Sequence, residues 1–422
     1  MGLKYLYLPS GVKAGTAYGV MPNSADADFD DFTRNSTASR IGKNGFIESV
    51  GSNVPRLDYS DGGCPSLLLE PQRLNRVTNS DEFTGNLLNL TVNRNQIISP
   101  DGSLNADRMF NNNGNGEHFV SNGGFNPSIV NGTDYVASCF FKSDGTGGQG
   151  VIRTYVGTWI RAVFNLEEGT ISAVQSGSDA KMENYGNGWY RCSLLVTAVG
   201  DYGSTFVQIG VGNSLNEYSY QGTSSLGNYF WGVQFEQGSY PTSYIPTTTT
   251  TVTRAADATG GTGDLSDTFN DSEGVFYFEG NTFEAITQQL SINTGNAGSA
   301  VKFLYLSSNR FIFEVRDSYS TQASIEKTLS NVESIIKVAG KYQQNNFSLW
   351  INGFEIGTDT SGTIPANLSK LSYDDGAGNS DFYGKTKQLR YYDEVLTDIE
   401  LEELTSWDSF RAMAEGQNYV IE

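Results

Sequence analysis

Hydrophobic and polar residues alternate in short stretches along most of this chain, and glycine, asparagine, serine or proline separates one stretch from the next. Trp231, Val233 and Phe235, for example, each precede a small or polar residue. This period of two is typical of a strand with one buried face. Between residues 76 and 246 the pattern predicts evenly spaced strands over 134–141, 151–155, 159–166, 189–197, 205–211 and 229–235. Such spacing favours a β-sandwich.

A second group of predicted strands lies between residues 263 and 407. Alternating apolar residues flank the dipeptide Asn352-Gly353. The dipeptide predicts a hairpin with a type I′ turn, because both of its residues tolerate positive φ. Further along, Thr397 and Glu400 have the spacing of a capping box. We therefore expect a short helix after the last strand of this region.

Differences in composition suggest the boundaries of the domains. Residues 1–75 hold few apolar clusters and would be marginally stable alone, so we expect them to pack against another chain. Residues 76–246 and 263–407 are expected to form the two sandwiches. Residues 247–262 begin with five threonines and hold almost no large apolar side chain, which is typical of an exposed linker. Residues 408–422 are interpreted as a C-terminal tail.

The composition agrees with an all-β fold. The 422 residues include 23 Tyr, 24 Phe and 5 Trp, which is enough aromatic surface for large cores. The 48 glycines lie among asparagine, serine and threonine, as expected for many tight turns between short strands. Cys64, Cys139 and Cys192 are odd in number and widely separated, so we expect reduced, packed thiols.

The net charge limits the classes of partner. With 47 acidic and 27 basic residues the chain carries a formal charge of −20. Nucleic acids and anionic membrane surfaces bind cationic patches, so neither is an expected partner. No apolar run is long enough for membrane insertion, and the apolar part of the first 15 residues is too short for a secretory signal. We therefore expect the protein to fold in the cytoplasm of the cell that makes it.

The sequence offers few residues for catalysis. His118 is the only histidine and lies in a run of turn residues, so a catalytic triad or a histidine-rich zinc site is not expected. Glycoside hydrolysis needs a pair of carboxylates. Glu279 and Glu284 are the nearest approach to such a pair, but no aspartate lies between them. We expect no enzymatic activity and assign no catalytic residue.

One acidic loop is a candidate for calcium. Asp374 and Asp375 lie in the run LSYDDGAGNSDF, and Asp381 follows nearby. Carboxylate oxygens are the ligands that calcium prefers. A solvated turn explains the same residues, because Asp-Gly sequences are typical of turns. Calcium therefore stays open, and no metal or other cofactor is assigned.

Aromatic side chains are the other candidates for a binding site. A sugar ring stacks its C–H face on Trp or Tyr, and polar side chains around the ring bind its hydroxyl groups. Tyr155, Trp159, Tyr218 and Tyr220 are the glycan-binding candidates in the first sandwich, and Asp374 and Asp375 are polar candidates in the second. The alternating patterns around Trp189, Trp231 and Trp350 instead indicate core positions.

Several runs resemble segments of bacteriophage and prophage structural proteins. FEQGSYPTSYIPT followed by TRAAD, together with SPDGSLNADRMF and NGWYRCSLLV, resembles a carbohydrate-binding-module-like jelly roll. LYLPSG and DYSDGGCPSLLLEPQR resemble the N-terminal attachment region of the same proteins. LWINGFEIGTD and LRYYDEVLTDIELEEL resemble the concanavalin A-like laminin-G fold. The resemblance implies an attachment region at 1–75, a jelly roll at 76–246 and a laminin-G domain at 263–407.

The resemblance implies a role in a virion. We expect a tail fibre, head fibre or decoration protein that displays lectin-like domains for adhesion to a host surface or glycan. The expected assembly is a homo-oligomer, with a trimer favoured, that contacts other virion proteins through residues 1–75. Two alternatives stay open, namely a particle-bound glycan depolymerase and an architectural spacer with degenerate lectin folds.

Overall fold

The computed structural model of the chain describes residues 2–13, 16–21, 24–28, 32–125, 129–213, 217–259, 261–409 and 412–413. Most of the segment 408–422, which was expected to be a tail, lies outside these residues. The prediction of an all-β fold is confirmed, because strands make up nearly all of the regular structure and one short helix follows the last strand of the described chain.

The strands are numbered in chain order. They are β1 (Leu3–Lys13), β2 (Thr16–Met21), β3 (Ser24–Asp28), β4 (Ala38–Ile41), β5 (Ile47–Val50), β6 (Arg56–Asp58), β7 (Ser66–Leu69), β8 (Arg73–Asn75), β9 (Asn86–Leu88), β10 (Leu90–Ile98), β11 (Leu104–Asn111), β12 (Asn115–Glu117), β13 (Phe119–Phe125), β14 (Asp134–Ser143), β15 (Gln149–Tyr155), β16 (Trp159–Asn165), β17 (Thr170–Val174), β18 (Asp179–Asn184), β19 (Trp189–Thr197), β20 (Thr205–Gly212), β21 (Ser219–Gln221), β22 (Gly227–Gln237), β23 (Val252–Arg254), β24 (Glu273–Thr282), β25 (Gln288–Asn293), β26 (Ala300–Leu306), β27 (Arg310–Asp317), β28 (Ser320–Thr328), β29 (Ile336–Gln343), β30 (Phe347–Ile351), β31 (Phe354–Asp359), β32 (Lys370–Ser372) and β33 (Gly384–Tyr392). Helix α1 spans Asp398–Thr405.

Two compact units make up the chain, and their boundaries differ from the expected ones. Unit 1 comprises Met1–Asn35, Val50–Pro71 and Ala256–Glu422, and unit 2 comprises Ser36–Ser49 and Gln72–Ala255. Each expected sandwich lies within one unit. The N-terminal 75 residues, however, form no unit of their own, because β1 and β7 both pair with β33 inside unit 1. The chain passes from one unit to the other four times.

Unit 1 is built from two sheets that enclose an apolar core. The order of the larger sheet is β3-β2-β1-β33-β24-β29-β30-β31, and β7 adds β6 to it through its own pairing with β33. The order of the smaller sheet is β28-β27-β26-β25-β32. Aromatic rings from both sheets meet in the core, where Phe276 of β24 stacks on Phe303 of β26 with ring centroids 4.7 Å apart.

The predicted turn and helix of unit 1 are confirmed. Asn352 and Gly353 join β30 to β31 with φ angles of 53° and 84°. At the start of α1 the Thr397 side chain accepts a hydrogen bond from the Glu400 amide, and the Glu400 carboxylate accepts one from the Thr397 amide. The helix then packs Leu401 into a cluster on the larger sheet.

Unit 2 is a sandwich of two six-stranded sheets. Their orders are β10-β11-β22-β14-β19-β18 and β17-β16-β15-β20-β13-β9. The six predicted strands correspond to β14, β15, β16, β19, β20 and β22, with ends that differ by at most two residues. Inward side chains of both sheets form one core, which includes Phe141, Ile152, Phe164, Ile209 and Phe235.

A second apolar cluster covers the outer face of the β22-containing sheet. The hairpin β4–β5 contributes Ile47, which packs in this cluster with Trp189, Trp231 and Tyr244. The prediction that Trp189, Trp231 and Trp350 are core residues is confirmed, since each is buried. All three cysteines are free thiols. Cys139 and Cys192 are buried as expected, whereas Cys64 is exposed because it lies in the turn before β7.

A cluster of buried charges joins three distant segments of unit 1. The Asp257 carboxylate accepts hydrogen bonds from the Arg34 guanidinium, at 3.0 Å, and from the Arg56 guanidinium. Arg56 also donates to Glu70 at 2.6 Å. The Glu70 amide donates to the Asp257 carboxylate at 2.8 Å, and the Asp257 amide donates to the Glu70 carbonyl at 2.9 Å. These side chains are buried, so their charges are balanced by one another rather than by water.

The segment 247–262 is not the fully exposed linker that was expected. Residues 248–253 are exposed, but Thr247, Arg254, Asp257 and Thr262 are buried. Strand β23 lies within this segment and pairs with β8 in unit 2. The threonine hydroxyls at both ends of the segment can be buried because hydrogen bonds offset the loss of water, as in the bond from the Thr247 hydroxyl to the Val77 carbonyl.

We expect that a single cut in residues 248–253 will not release two separate domains. The fragment before the cut carries β1, β7, Arg34 and Arg56, and the fragment after it carries β33 and Asp257. Both are needed for unit 1, so the fragments should elute together in gel filtration under native conditions and separate only in denaturant. Insertion of a protease site after Thr250 tests this. Elution of two folded fragments of different size without denaturant would contradict it.

Candidate functional site

The candidate site lies on the outer face of the sheet in unit 2 that contains β15 and β16. On β15, Ile152 points into the core, so its neighbour Arg153 points to the outer face. On β16, Ala162 points into the core, so Arg161 points outward. In the register of the two strands Tyr155 lies opposite Trp159, and Arg153 lies opposite Arg161. The pleat therefore places two aromatic and two guanidinium side chains side by side.

Tyr218 completes this group, which we call the arginine–aromatic patch and define as Arg153, Tyr155, Trp159, Arg161 and Tyr218. All five side chains are partly exposed. The Arg153 guanidinium carbon lies 4.0 Å from the centre of the Trp159 rings and 5.2 Å from the centre of the Tyr218 ring. The Arg161 guanidinium carbon lies 4.2 Å from the Tyr218 ring centre. At these distances the cations are attracted to the ring faces.

The two arginines of the patch differ in their polar partners. Arg153 donates to the Glu117 carboxylate at 3.0 Å and to the Gln208 side-chain oxygen at 3.2 Å. The Arg161 guanidinium has no hydrogen bond or ion pair to any residue that the structure describes; its one side-chain partner there is the Tyr218 ring. Arg153 is therefore held in place by protein groups, whereas none of the described residues accepts a hydrogen bond from the guanidinium group of Arg161.

His118 positions the segment that carries Tyr218. Its amide donates to the Tyr218 carbonyl at 3.1 Å. Its ring nitrogens lie 2.9 Å from the Asn89 carbonyl oxygen and 3.0 Å from the Tyr220 carbonyl oxygen. The backbone on either side approaches closely, since a Cβ atom on Gly210 would lie 2.3 Å from the His118 carbonyl oxygen. His118 is 1% exposed, so it is a structural residue of this segment rather than a surface group in a turn.

Tyr220 does not join the patch. Its hydroxyl donates to the Val211 carbonyl at 3.1 Å and accepts from the Asn111 side chain at 3.4 Å. Burial raises the pKa of Tyr220 to about 12. The structure thus brings together Tyr155, Trp159 and Tyr218 of the predicted aromatic candidates and directs the fourth toward the protein.

The acidic candidates Asp374 and Asp375 lie in a loop of unit 1. Asp374 is buried, and its carboxylate accepts from the Gly376 amide at 2.6 Å. Asp375 accepts from the amides of Ala377 and Asn379. Burial raises the pKa of Asp374 to about 6, and the neighbouring Asp375 and Asp381 add to the shift. In the described part of the chain no group of three or more His, Cys, Asp or Glu is arranged to hold a metal ion. Calcium therefore stays an untested alternative.

The pair of glutamates considered for hydrolysis is placed at the end of β24. Glu279 lies in the strand, 8% exposed, and Glu284 lies beyond its end. The Glu279 carboxylate accepts from the Tyr277 hydroxyl at 3.2 Å and from the Gln388 side chain at 2.5 Å. These donors hold Glu279 within the sheet.

Sequence reasoning missed both arginines of the patch. The strands β15 and β16 were predicted, and the period of two already places Arg153 with Tyr155 and Trp159 with Arg161 on one face. That signal was in the sequence. The position of Tyr218 could not be predicted from the sequence, because it depends on hydrogen bonds between His118 and residues about 100 positions further along the chain.

No protein-family model and no curated protein matches this chain. Solved structures that match include the CBM40 of the Ruminococcus gnavus IT-sialidase bound to α2,3-sialyllactose, with 20% identity, 35% of this chain and 93% of the other covered, and a TM-score of 0.30. The mouse laminin α1 domains LG4-5 match with 10% identity, 77% and 89% coverage, and a TM-score of 0.21. At these TM-scores we infer nothing about ligands from them.

In the part of the chain that the structure describes, no helix is both long enough and apolar enough to cross a membrane.

We expect Asp374→Asn to change the pH dependence of stability. A carboxyl group whose folded pKa is about 6, against about 4 when unfolded, contributes stability that is present at about pH 4 and lost as the pH rises through 6. The amide cannot ionise but can still accept from Gly376. At about pH 7.5 the free energy of unfolding of the variant should therefore exceed that of the original protein by about 1–2 kcal/mol, so its urea midpoint should be higher. At about pH 4 the two midpoints should be the same.

Asp267→Asn, at an exposed position of the same unit, is the control and should leave both midpoints unchanged. An equal effect of Asp374→Asn at both pH values would contradict the assignment.

Proposed function

We propose that this chain is a non-enzymatic glycan-binding protein and that the arginine–aromatic patch is its binding site. The observation that carries the proposal is the partly exposed Trp159 ring beside two guanidinium groups on one sheet face. Such a surface offers an apolar face for the C–H groups of a sugar and, in Arg161, a charged donor for its polar groups. Glu117 lies next to Arg153 and adds a partly exposed acceptor.

Each site should bind weakly. The patch lies on an open sheet face, so a sugar bound there stays partly hydrated and gains little energy from burial. We expect dissociation constants in the millimolar to micromolar range for one site, on the order of −4 to −8 kcal/mol. Useful adhesion then requires several copies, because linked sites raise the effective concentration of the second binding event.

We further propose that the protein is part of a virion, as a tail or head fibre or a decoration protein, and that it is a homo-oligomer with a trimer favoured. The sequence runs that resemble phage structural proteins support this proposal. The attachment surface for other virion proteins would include residues 1–75, part of which contributes β1, β6 and β7 to unit 1. The same surface would serve the assembly of copies.

The depolymerase alternative has no structural observation in its favour. Glu279, the carboxylate considered as a nucleophile or acid, is already bound by Tyr277 and Gln388. An architectural spacer remains the simpler alternative, and it differs from the adhesin in binding no glycan.

A glycan array combined with an assay for released reducing ends separates these functions. We expect binding without release, and we expect Trp159→Ala to weaken binding at least tenfold, about 1.4 kcal/mol, because the stacking surface is lost. Tyr319→Ala is the matched control, since Tyr319 is 74% exposed in unit 1 and should leave binding unchanged.

Release of reducing ends would support the depolymerase, and an array without any signal would support the spacer. Equal loss of binding in the Trp159 and Tyr319 variants would show that the patch is not the site. Light scattering on the same sample tests the oligomer, and a monomer would contradict that part of the proposal.

A further inference from the structure

The arginine–aromatic patch is a positively charged site on an acidic protein. The whole chain has a formal charge of −20, yet the patch holds two arginines, and the carboxylate in contact with it, Glu117, is paired with Arg153. Two positive charges and one negative charge leave a local charge of +1. Screening at physiological salt limits the influence of remote charges to about 8 Å, so beyond these groups a ligand bound here experiences mainly close neighbours such as the exposed Glu217.

Arg161 carries this excess charge. Its guanidinium plane lies near the Tyr218 ring, with 4.2 Å between the guanidinium carbon and the ring centre, and no described residue accepts a hydrogen bond from it. A cation stacked on a ring keeps the N–H groups at its edge free to bind another group. The planar fork of a guanidinium matches the two oxygens of a carboxylate, which it binds through two parallel hydrogen bonds.

The distance between Arg161 and the stacking surface suits a sugar. Trp159 and Arg161 are two residues apart on the same face of β16, which corresponds to about 7 Å along the strand. Arg153 covers one face of the Trp159 rings, so a sugar ring stacked on the other face can direct an exocyclic carboxylate toward Arg161. Arg153 lies between the Trp159 and Tyr218 rings and is bound by Glu117 and Gln208, so it positions the two rings rather than the ligand.

We infer that the patch selects glycans that carry carboxylate groups, with Arg161 as the carboxylate ligand and Trp159 as the stacking surface. This inference rests on the proposed function and specifies its ligand class. Hexuronic and nonulosonic acids both present such a carboxylate. Sulfate esters share the negative charge but not the planar pair of oxygens, so they serve as the comparison.

The test is an array in which each carboxylated glycan, of both acid classes, is printed beside its methyl ester and beside sulfated glycans of similar size. Short oligosaccharides are used because the net charge of the protein repels long polyanions. We expect at least tenfold tighter binding to the acids than to their esters. Arg161→Gln should remove this difference while weak binding to the esters remains, and Arg161→Lys should restore part of it.

Arg310→Gln is the matched control. Arg310 is an exposed arginine of unit 1 that is paired with Glu326, and its loss should leave the preference unchanged. Circular dichroism confirms that each variant is folded. Because the Trp159 surface is unchanged in the Arg161 variants, retained ester binding also reports an intact site.

Every other outcome decides against the inference. Equal binding to acids and esters would overturn the carboxylate preference and leave glycan binding standing. Stronger binding to sulfated glycans than to carboxylated ones would overturn it in the same way. An acid preference that survives Arg161→Gln would place the carboxylate elsewhere. Absence of binding to any glycan would overturn both this inference and the proposed function.

Discussion

Unit 1 depends on the buried charges around Asp257. Arg34, Arg56 and Glu70 lie about 190 to 220 residues away from Asp257 in the sequence. The two guanidinium groups and the Glu70 amide donate to the Asp257 carboxylate in the interior of the unit. Burial disfavours the charge on Arg56, but Glu70 and Asp257 outweigh it and raise the Arg56 pKa. Loss of one partner from such a cluster leaves an uncompensated buried charge and costs about 3–5 kcal/mol. The cluster therefore fixes which distant segments of chain belong to unit 1.

The arginine–aromatic patch in unit 2 depends on a different constraint, which is the geometry of a paired sheet. The register of β15 with β16 sets Tyr155 opposite Trp159 and Arg153 opposite Arg161. None of these positions relies on a long loop, so the spacing between the stacking surface and the guanidinium group is fixed before a ligand arrives. Pre-formed sites of this kind lose less entropy on binding. His118 extends the same rigidity to Tyr218.

Local patterns in the sequence predicted the parts of the fold that local forces decide. Six strands of unit 2, the Asn352-Gly353 turn and the Thr397–Glu400 capping box follow from periodicity, positive φ and hydrogen bonds between near neighbours. The division into units could not be predicted in this way, because the pairing of β1 and β7 with β33 joins residues more than 300 positions apart. Residues 1–75 looked unstable alone for the same reason, since the partner of β1 and β7 lies at the other end of the chain.

The central claim is that the arginine–aromatic patch binds an acidic sugar, and a crystal structure of the protein with a carboxylated oligosaccharide tests it most directly. The account predicts a sugar ring stacked on Trp159 with its carboxylate within hydrogen-bond distance of the Arg161 guanidinium. An oligosaccharide bound only in unit 1, for instance in the polar groove lined by Thr262, Asp271 and Lys370, with the patch empty, would contradict it.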